Sequence, residues 1–95
     1  MGFREIRSSN NPCYKQYRRL AAGRRYRRRE GKLALEGPRL VAEALAAGLK
    51  PEAVFVTRSY LESEKNLGAA LPGEARCYLL EPPLFTRMVD TETPQ

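Results

Sequence analysis

The chain has 95 residues, of which 42% are hydrophobic and 29% charged, a size and composition typical of one globular domain. No apolar run reaches the ~20 residues that a membrane span needs, so we expect a cytoplasmic protein without membrane contact. There is no histidine, and Cys13 and Cys77 are the only cysteines. A zinc site of cysteine and histidine and any mechanism with an imidazole base are therefore excluded. We expect neither a metal nor a cofactor in this chain.

The charge is distributed unevenly along the chain. Residues 1–32 contain eleven basic and two acidic side chains, whereas residues 33–95 contain six basic and nine acidic ones. Such asymmetry between two parts of one chain is typical of a basic segment that binds nucleic acid or another anionic surface.

The first third of the chain reads as a short strand followed by two helices. Residues 3–6 can form a frayed strand, and the Asn-Pro pair before residue 13 is a helix start signal. The apolar side chains of residues 12–22 fall on one helical stripe. Gly23 interrupts this helix, and residues 24–30 form a second one that ends at Gly31.

The remaining elements alternate between strands and helices, which is typical of an α/β fold with a parallel sheet and helices on both faces. In chain order they are a strand over 32–36, a helix over 39–47 ending at Gly48, a strand over 53–57, a helix over 60–67 with Ser59 and Glu62 as a capping box, a strand over 76–80, and a helix over 84–89 opened by Pro82 and Pro83.

The most informative stretch is the basic run over residues 18–32, in which eight of fifteen residues are cationic. Such a cluster neutralises phosphates without regard to sequence, and a tyrosine among arginines can stack on an unpaired base. Other interpretations are an anionic membrane or protein partner and a solvated face held by ion pairs, for which the run offers only Glu30. Nucleic acid is the interpretation that the uncompensated charge favours.

A second candidate anion site is the turn before the third helix, because a helix N-terminus beside an arginine attracts phosphate. The alternative is a simple strand-to-helix turn. The predicted nucleic-acid-binding residues are Lys15, Arg18, Arg19, Arg24, Arg25, Tyr26, Arg27, Arg28, Arg29, Lys32, Gly37 and Arg39. We predict no catalytic residue, and we expect Cys13 and Cys77 to be core residues.

Four stretches together resemble a known family. They are S-S-N-N-P at 8–12, R-E-G-K-L-A-L-E-G-P-R at 29–39, V-F-V-T at 54–57 and D-T-E-T-P-Q at 90–95. Their order is similar to that in the N-terminal substrate-binding domain of SpoU/TrmH RNA 2′-O-ribose methyltransferases, which modify ribosomal or transfer RNA. The resemblance covers nearly the whole chain.

This resemblance implies a fold like that of ribosomal protein L30e, a three-layer α/β/α sandwich, and RNA as the partner, ribosomal RNA before transfer RNA. It further implies a single substrate-binding domain over 1–95, with a basic helical extension (1–32), a body (33–89) and a linker (90–95). A knotted catalytic domain would follow, which binds S-adenosylmethionine and forms a homodimer. The chain by itself would then not be an enzyme.

Two other functions remain open at the level of sequence. One is a free-standing RNA-binding module of the L30e/L7Ae type with no enzyme attached, and the other is an interaction module whose basic segment docks on an acidic protein.

Overall fold

The computed structural model of the protein describes residues 3–63, 71 and 75–89. Its elements are β1 (Arg4–Ile6), α1 (Pro12–Ala22), α2 (Arg24–Glu30), α3 (Pro38–Ala46), β2 (Ala53–Thr57), α4 (Arg58–Ser63), β3 (Arg76–Leu80) and α5 (Pro82–Val89). The predicted polar tail over 90–95 lies outside the described residues. No described helix is long and apolar enough to cross a membrane.

The strands form a three-stranded sheet in the order β1-β3-β2, with both pairings parallel. Tyr78 of β3 lies between Arg4 of β1 and Phe55 of β2 in the register. The predicted α/β class with a small parallel sheet is confirmed. The central strand is buried from Cys77 to Leu80, so both of its faces are covered, as expected for a strand inside a parallel sheet.

The main core lies between the sheet, α1 and α5. Ile6, Tyr78 and Leu80 from the sheet pack with Tyr14 of α1 and Met88 of α5. Each of these side chains is at most 8% exposed, and burying a large apolar side chain contributes about 1.5–3 kcal/mol to folding. β1 and α1 supply two of the five, so residues before position 32 contribute to the same core as the sheet and α5.

The first helix pair begins and ends where its capping residues predict. The Asn11 side-chain oxygen accepts hydrogen bonds from the Cys13 and Tyr14 amides, at 2.9 and 3.2 Å, so two donors at the start of α1 are satisfied. Gly23 separates α1 from α2, and Gly31 ends α2 with a left-handed φ of 66°. These boundaries confirm the predicted ones.

The predicted strand over residues 32–36 is wrong, because the structure gives this segment neither helix nor strand. The hydroxyl of Tyr17 donates to the Leu35 carbonyl oxygen at 3.0 Å, so α1 binds a carbonyl that a neighbouring strand would otherwise bind. Leu33 is 68% exposed, which is inconsistent with a strand buried in the sheet.

The predicted cap of the fourth helix is also wrong. Arg58 and Ser59 are already helical, and the Tyr60 amide donates to the Thr57 hydroxyl at 3.3 Å. Thr57, the last residue of β2, therefore caps α4, since the helix follows the strand without a linker. The rest of the predicted helix, from residue 64 onward, lies outside the described residues.

Candidate nucleic-acid interface

Three of the predicted RNA-binding side chains lie on one exposed face of α1. Lys15, Arg18 and Arg19 are all exposed, and spacings of three and four residues place them side by side on a helix. The opposite face of α1 buries Tyr14 and Leu20. Packing of Tyr14 and Leu20 into the core thus fixes the orientation of α1, with its cations on the solvent side.

The second helix continues this charge. Arg24, Arg25, Arg28 and Arg29 are exposed, and the same spacing rule groups them on one face of α2. We call the seven exposed cations of the two helices the α1–α2 cationic surface; its members are Lys15, Arg18, Arg19, Arg24, Arg25, Arg28 and Arg29.

Tyr26 joins the two parts of this surface. The guanidinium carbon of Arg19 lies 4.1 Å from the centre of the Tyr26 ring, and that of Arg29 lies 5.2 Å from it. These are cation–π distances. The ring is therefore in contact with two arginines, one from each helix. It holds these two cations in place, a role separate from the predicted stacking on a base.

Arg27 differs from its neighbours because its side chain is turned back onto α1. Its Nη1 donates to the carbonyl oxygens of Leu20, at 2.6 Å, and Ala21, at 3.4 Å. The last carbonyls of a helix lack partners within the helix and carry partial negative charge. Arg27 therefore stabilises the junction of α1 and α2, a role that the amino-acid pattern did not predict for it.

Few carboxylates neutralise the surface. Glu30 lies 3.4 Å from Arg29, and the described ion pairs include no second acid on these helices. Lys32 is bound elsewhere, since its Nζ lies 3.2 Å from Glu52. Exposed pairs of this kind contribute at most about 1 kcal/mol, so most of the repulsion among the cations is left for a partner to relieve.

A groove with a volume of about 440 Å³ lies beside this surface. Pro12, Cys13, Lys15, Gln16, Arg19, Tyr26 and Arg76 line it. The Cys13 Sγ is 3.2 Å from the Tyr78 hydroxyl and 3.7 Å from Nη1 of Arg76. The pKa of Tyr78 is raised, chiefly by this bond to Cys13 and secondly by burial of the hydroxyl. Sequence reasoning missed Arg76, because only the parallel register of β3 brings its first residue to α1.

The predicted site at Gly37 and Arg39 remains separate from this groove. Gly37 has a φ of 101°, which favours glycine, and Arg39 is exposed in the first turn of α3. α3 makes no extensive contact with α1 or α2, so the structure does not add these residues to the α1–α2 cationic surface.

A larger cavity of about 640 Å³ lies at the carboxyl ends of β1 and β3. Its charged lining is mixed, with Glu5 and Glu81 beside Arg7 and Arg87. The Arg7 guanidinium, bonded to Glu5 at 2.8 Å, is the main cause that lowers the pKa of that carboxyl. The described residues include no cluster of side chains suited to holding a metal ion.

The small α/β fold and its cationic surface belong to a substrate-binding domain. The family described as MRM3-like substrate binding domain matches residues 11–95, and the chain belongs to this family. The match confirms the predicted resemblance to a substrate-binding domain.

One relative is rRNA methyltransferase 3, mitochondrial, from Mus musculus, which is 46% identical to this chain over 48 residues. The aligned region covers 50% of this chain and 11% of the relative. The matched part of the chain is thus a small portion of that protein's length.

Proposed function

We propose that this chain is the RNA-binding part of a ribosomal RNA 2′-O-ribose methyltransferase of the SpoU/TrmH type. The observation that carries the proposal is the α1–α2 cationic surface, where the described ion pairs leave all but one of seven exposed cations without an acid. Such a surface supplies the electrostatic part of RNA affinity. The family and the name of the mouse relative support ribosomal RNA as the substrate.

The two helices differ from a merely solvated basic segment because α1 packs into the core and α2 is bound to α1. Tyr14 is fully buried, and its hydroxyl donates to the Leu84 carbonyl oxygen of α5 at 2.8 Å. Arg27 then binds α2 to the end of α1. The backbone that carries the cations is therefore already ordered before RNA binds, which reduces the entropy lost on binding.

Methyl transfer belongs to another part of the whole protein in this proposal. S-adenosylmethionine carries a sulfonium cation, and the groove beside α1 is lined by Lys15, Arg19 and Arg76, which would repel it. The residues of this groove do not fit that cofactor. We assign the cofactor and the reaction to a catalytic domain separate from these residues. The homodimer contacts in that domain and an L30e-like relationship of the fold are further parts of the proposal, which rest on the resemblance to the SpoU/TrmH family.

A titration of the 95-residue chain with a ribosomal RNA fragment tests this proposal. Affinity should fall steeply between about 50 and 200 mM salt, because bound phosphates release counterions. The double variant Arg24→Ala/Arg28→Ala should weaken binding and reduce the salt slope by about two, one for each phosphate that the variant no longer neutralises.

The matched control removes two exposed charges outside both helices, in Lys50→Ala/Arg87→Ala. This variant should bind RNA as the unmodified chain does. Equal weakening in both double variants would mean that only net charge matters, and absence of binding at low salt would contradict the proposal. Persistence of binding with excess transfer RNA present would support ribosomal RNA as the substrate.

A further inference from the structure

The groove beside α1 is the part of the basic region where cations from separate elements converge. Lys15 and Arg19 come from α1 and Arg76 from the start of β3, and no carboxylate is among the described residues that line the groove. Its volume of about 440 Å³ falls within the range of small-ligand sites, roughly 300–1,000 Å³. The groove is thus large enough for a nucleotide, and the charged side chains among its described lining residues are all cations.

Arg76 reaches the groove because the sheet positions it there. It pairs with Ala53 in the parallel register, and its amide donates to the Glu52 carbonyl oxygen at 2.9 Å. Its Nη1 lies 3.7 Å from Cys13, and its Nη2 is 4.0 Å from the Glu52 carboxylate. That last distance is the outer limit of an ion pair, so the guanidinium keeps most of its binding capacity for an anion.

The beginning of α1 adds to the positive potential. Pro12 and Cys13 occupy the first turn of an eleven-residue helix and line the groove. The amino end of a helix dipole favours a negative charge nearby. Helix dipole, lysine and two arginines all favour the same kind of ligand group, a phosphate.

We propose that this groove holds a backbone phosphate of the bound RNA, with Arg76 as a phosphate-binding residue and the Tyr26 ring as one wall. The inference rests on the proposed function and deepens it, because it locates the strand of RNA relative to the sheet. The bound strand would then pass from α2 along α1 to the first residue of β3, so that the sheet takes part in binding.

Arg76→Ala is the direct test, since the side chain is 54% exposed and the fold should tolerate its removal. RNA affinity should fall about tenfold at low salt, as removal of a charge-assisted hydrogen bond predicts, and the salt slope should fall by about one. Arg87→Ala removes the same charge from an exposed position on α5 and should leave both quantities unchanged. Arg76→Lys should restore the slope.

Cys13 offers a second measurement on the unmodified chain. Its thiol is partly buried and lines the groove, whereas Cys77 is buried. We expect RNA to slow the alkylation of Cys13 by a small maleimide at least severalfold, and Cys77 to react only on unfolding, which makes it the internal control.

The outcomes separate the two proposals. If the unmodified chain does not bind RNA, the proposed function and this inference both fail. If it binds RNA while Arg76→Ala binds equally well and Cys13 reacts at its original rate, the groove is not a binding site, and the proposed function stands.

Discussion

Arginines that are adjacent in the sequence have different roles in this domain. Arg28 is exposed and available to a partner, whereas the partly buried Arg27 binds carbonyl oxygens at the end of α1. The difference follows from helix geometry, since successive residues point about 100° apart and only one of the two can face the preceding helix. Arg27 therefore contributes to stability, and its neighbours form the surface.

The first prediction concerns this pair. Arg27→Ala should lower the free energy of unfolding by about 1–2 kcal/mol, because helix-end carbonyls lose a charged donor. Urea denaturation followed by circular dichroism measures it. Arg28→Ala, which removes the same charge from the exposed face, should change stability by no more than about 0.5 kcal/mol. Equal destabilisation in the two variants would show that Arg27 has no special structural role.

At the scale of elements, aromatic contacts connect the helix that carries the cations to the sheet. Tyr17 of α1 meets Phe55 of β2 edge to face at 5.5 Å, and Phe55 stacks on Tyr78 of β3 at 5.4 Å. Pairs of this geometry contribute about 0.5–1.5 kcal/mol beyond the area that they bury. α1 is thereby fixed to β2 and β3, and the first residue of β3, Arg76, lines the groove.

The second prediction concerns the end of α2. Gly31 has a φ of 66°, and a Cβ at this position would meet nothing within 4 Å. Gly31→Ala should therefore destabilise the chain through backbone strain alone, by about 1–2 kcal/mol. Gly31→Asn should destabilise the chain less than Gly31→Ala, because asparagine adopts the left-handed conformation more readily than alanine. Thermal unfolding compares the two, and an alanine variant as stable as the asparagine variant would contradict the assigned cap.

Elements with local signals could be predicted from the sequence. The boundaries of α1 and α2 follow from Asn11, Pro12 and two glycines, and the buried strands follow from their apolar, β-branched or aromatic residues. The conformation of the segment over 32–36 could not be predicted from its own residues, because the Leu35 carbonyl oxygen is bound by Tyr17, which lies 18 residues earlier in the chain. The position of Arg76 could not be predicted for the same reason, because its contact with Cys13 joins residues that are 63 positions apart in the chain.

At the scale of the whole molecule, charge is separated between two regions. The α1–α2 cationic surface is nearly without acids, whereas the carboxyl ends of the strands carry charges of both signs, and Glu5 there binds both Arg7 and Arg58. The second of these pairs joins β1 to α4. Salt should therefore weaken RNA binding much more than it weakens folding.

The third prediction is a pH dependence at Glu5. Hydrogen bonding to Arg7 lowers the pKa of this carboxyl below its ordinary value of 4.5. Its contribution to stability is thus present above pH 4.5 and is lost as the pH falls through the lowered pKa. The free energies of unfolding of the unmodified chain and of Glu5→Gln, measured by denaturation, should differ near neutral pH and converge in acid. A constant difference at every pH would contradict this.

Amide NMR spectra recorded during titration with a single-stranded ribosomal RNA fragment would show whether α1, α2 and the start of β3 form one RNA-binding surface. We expect the amide signals of residues 13–31 and of Arg76 to shift, with little change in those of α4 and α5. Shifts concentrated in α5 and beside Arg7, with α1 and α2 unchanged, would contradict it.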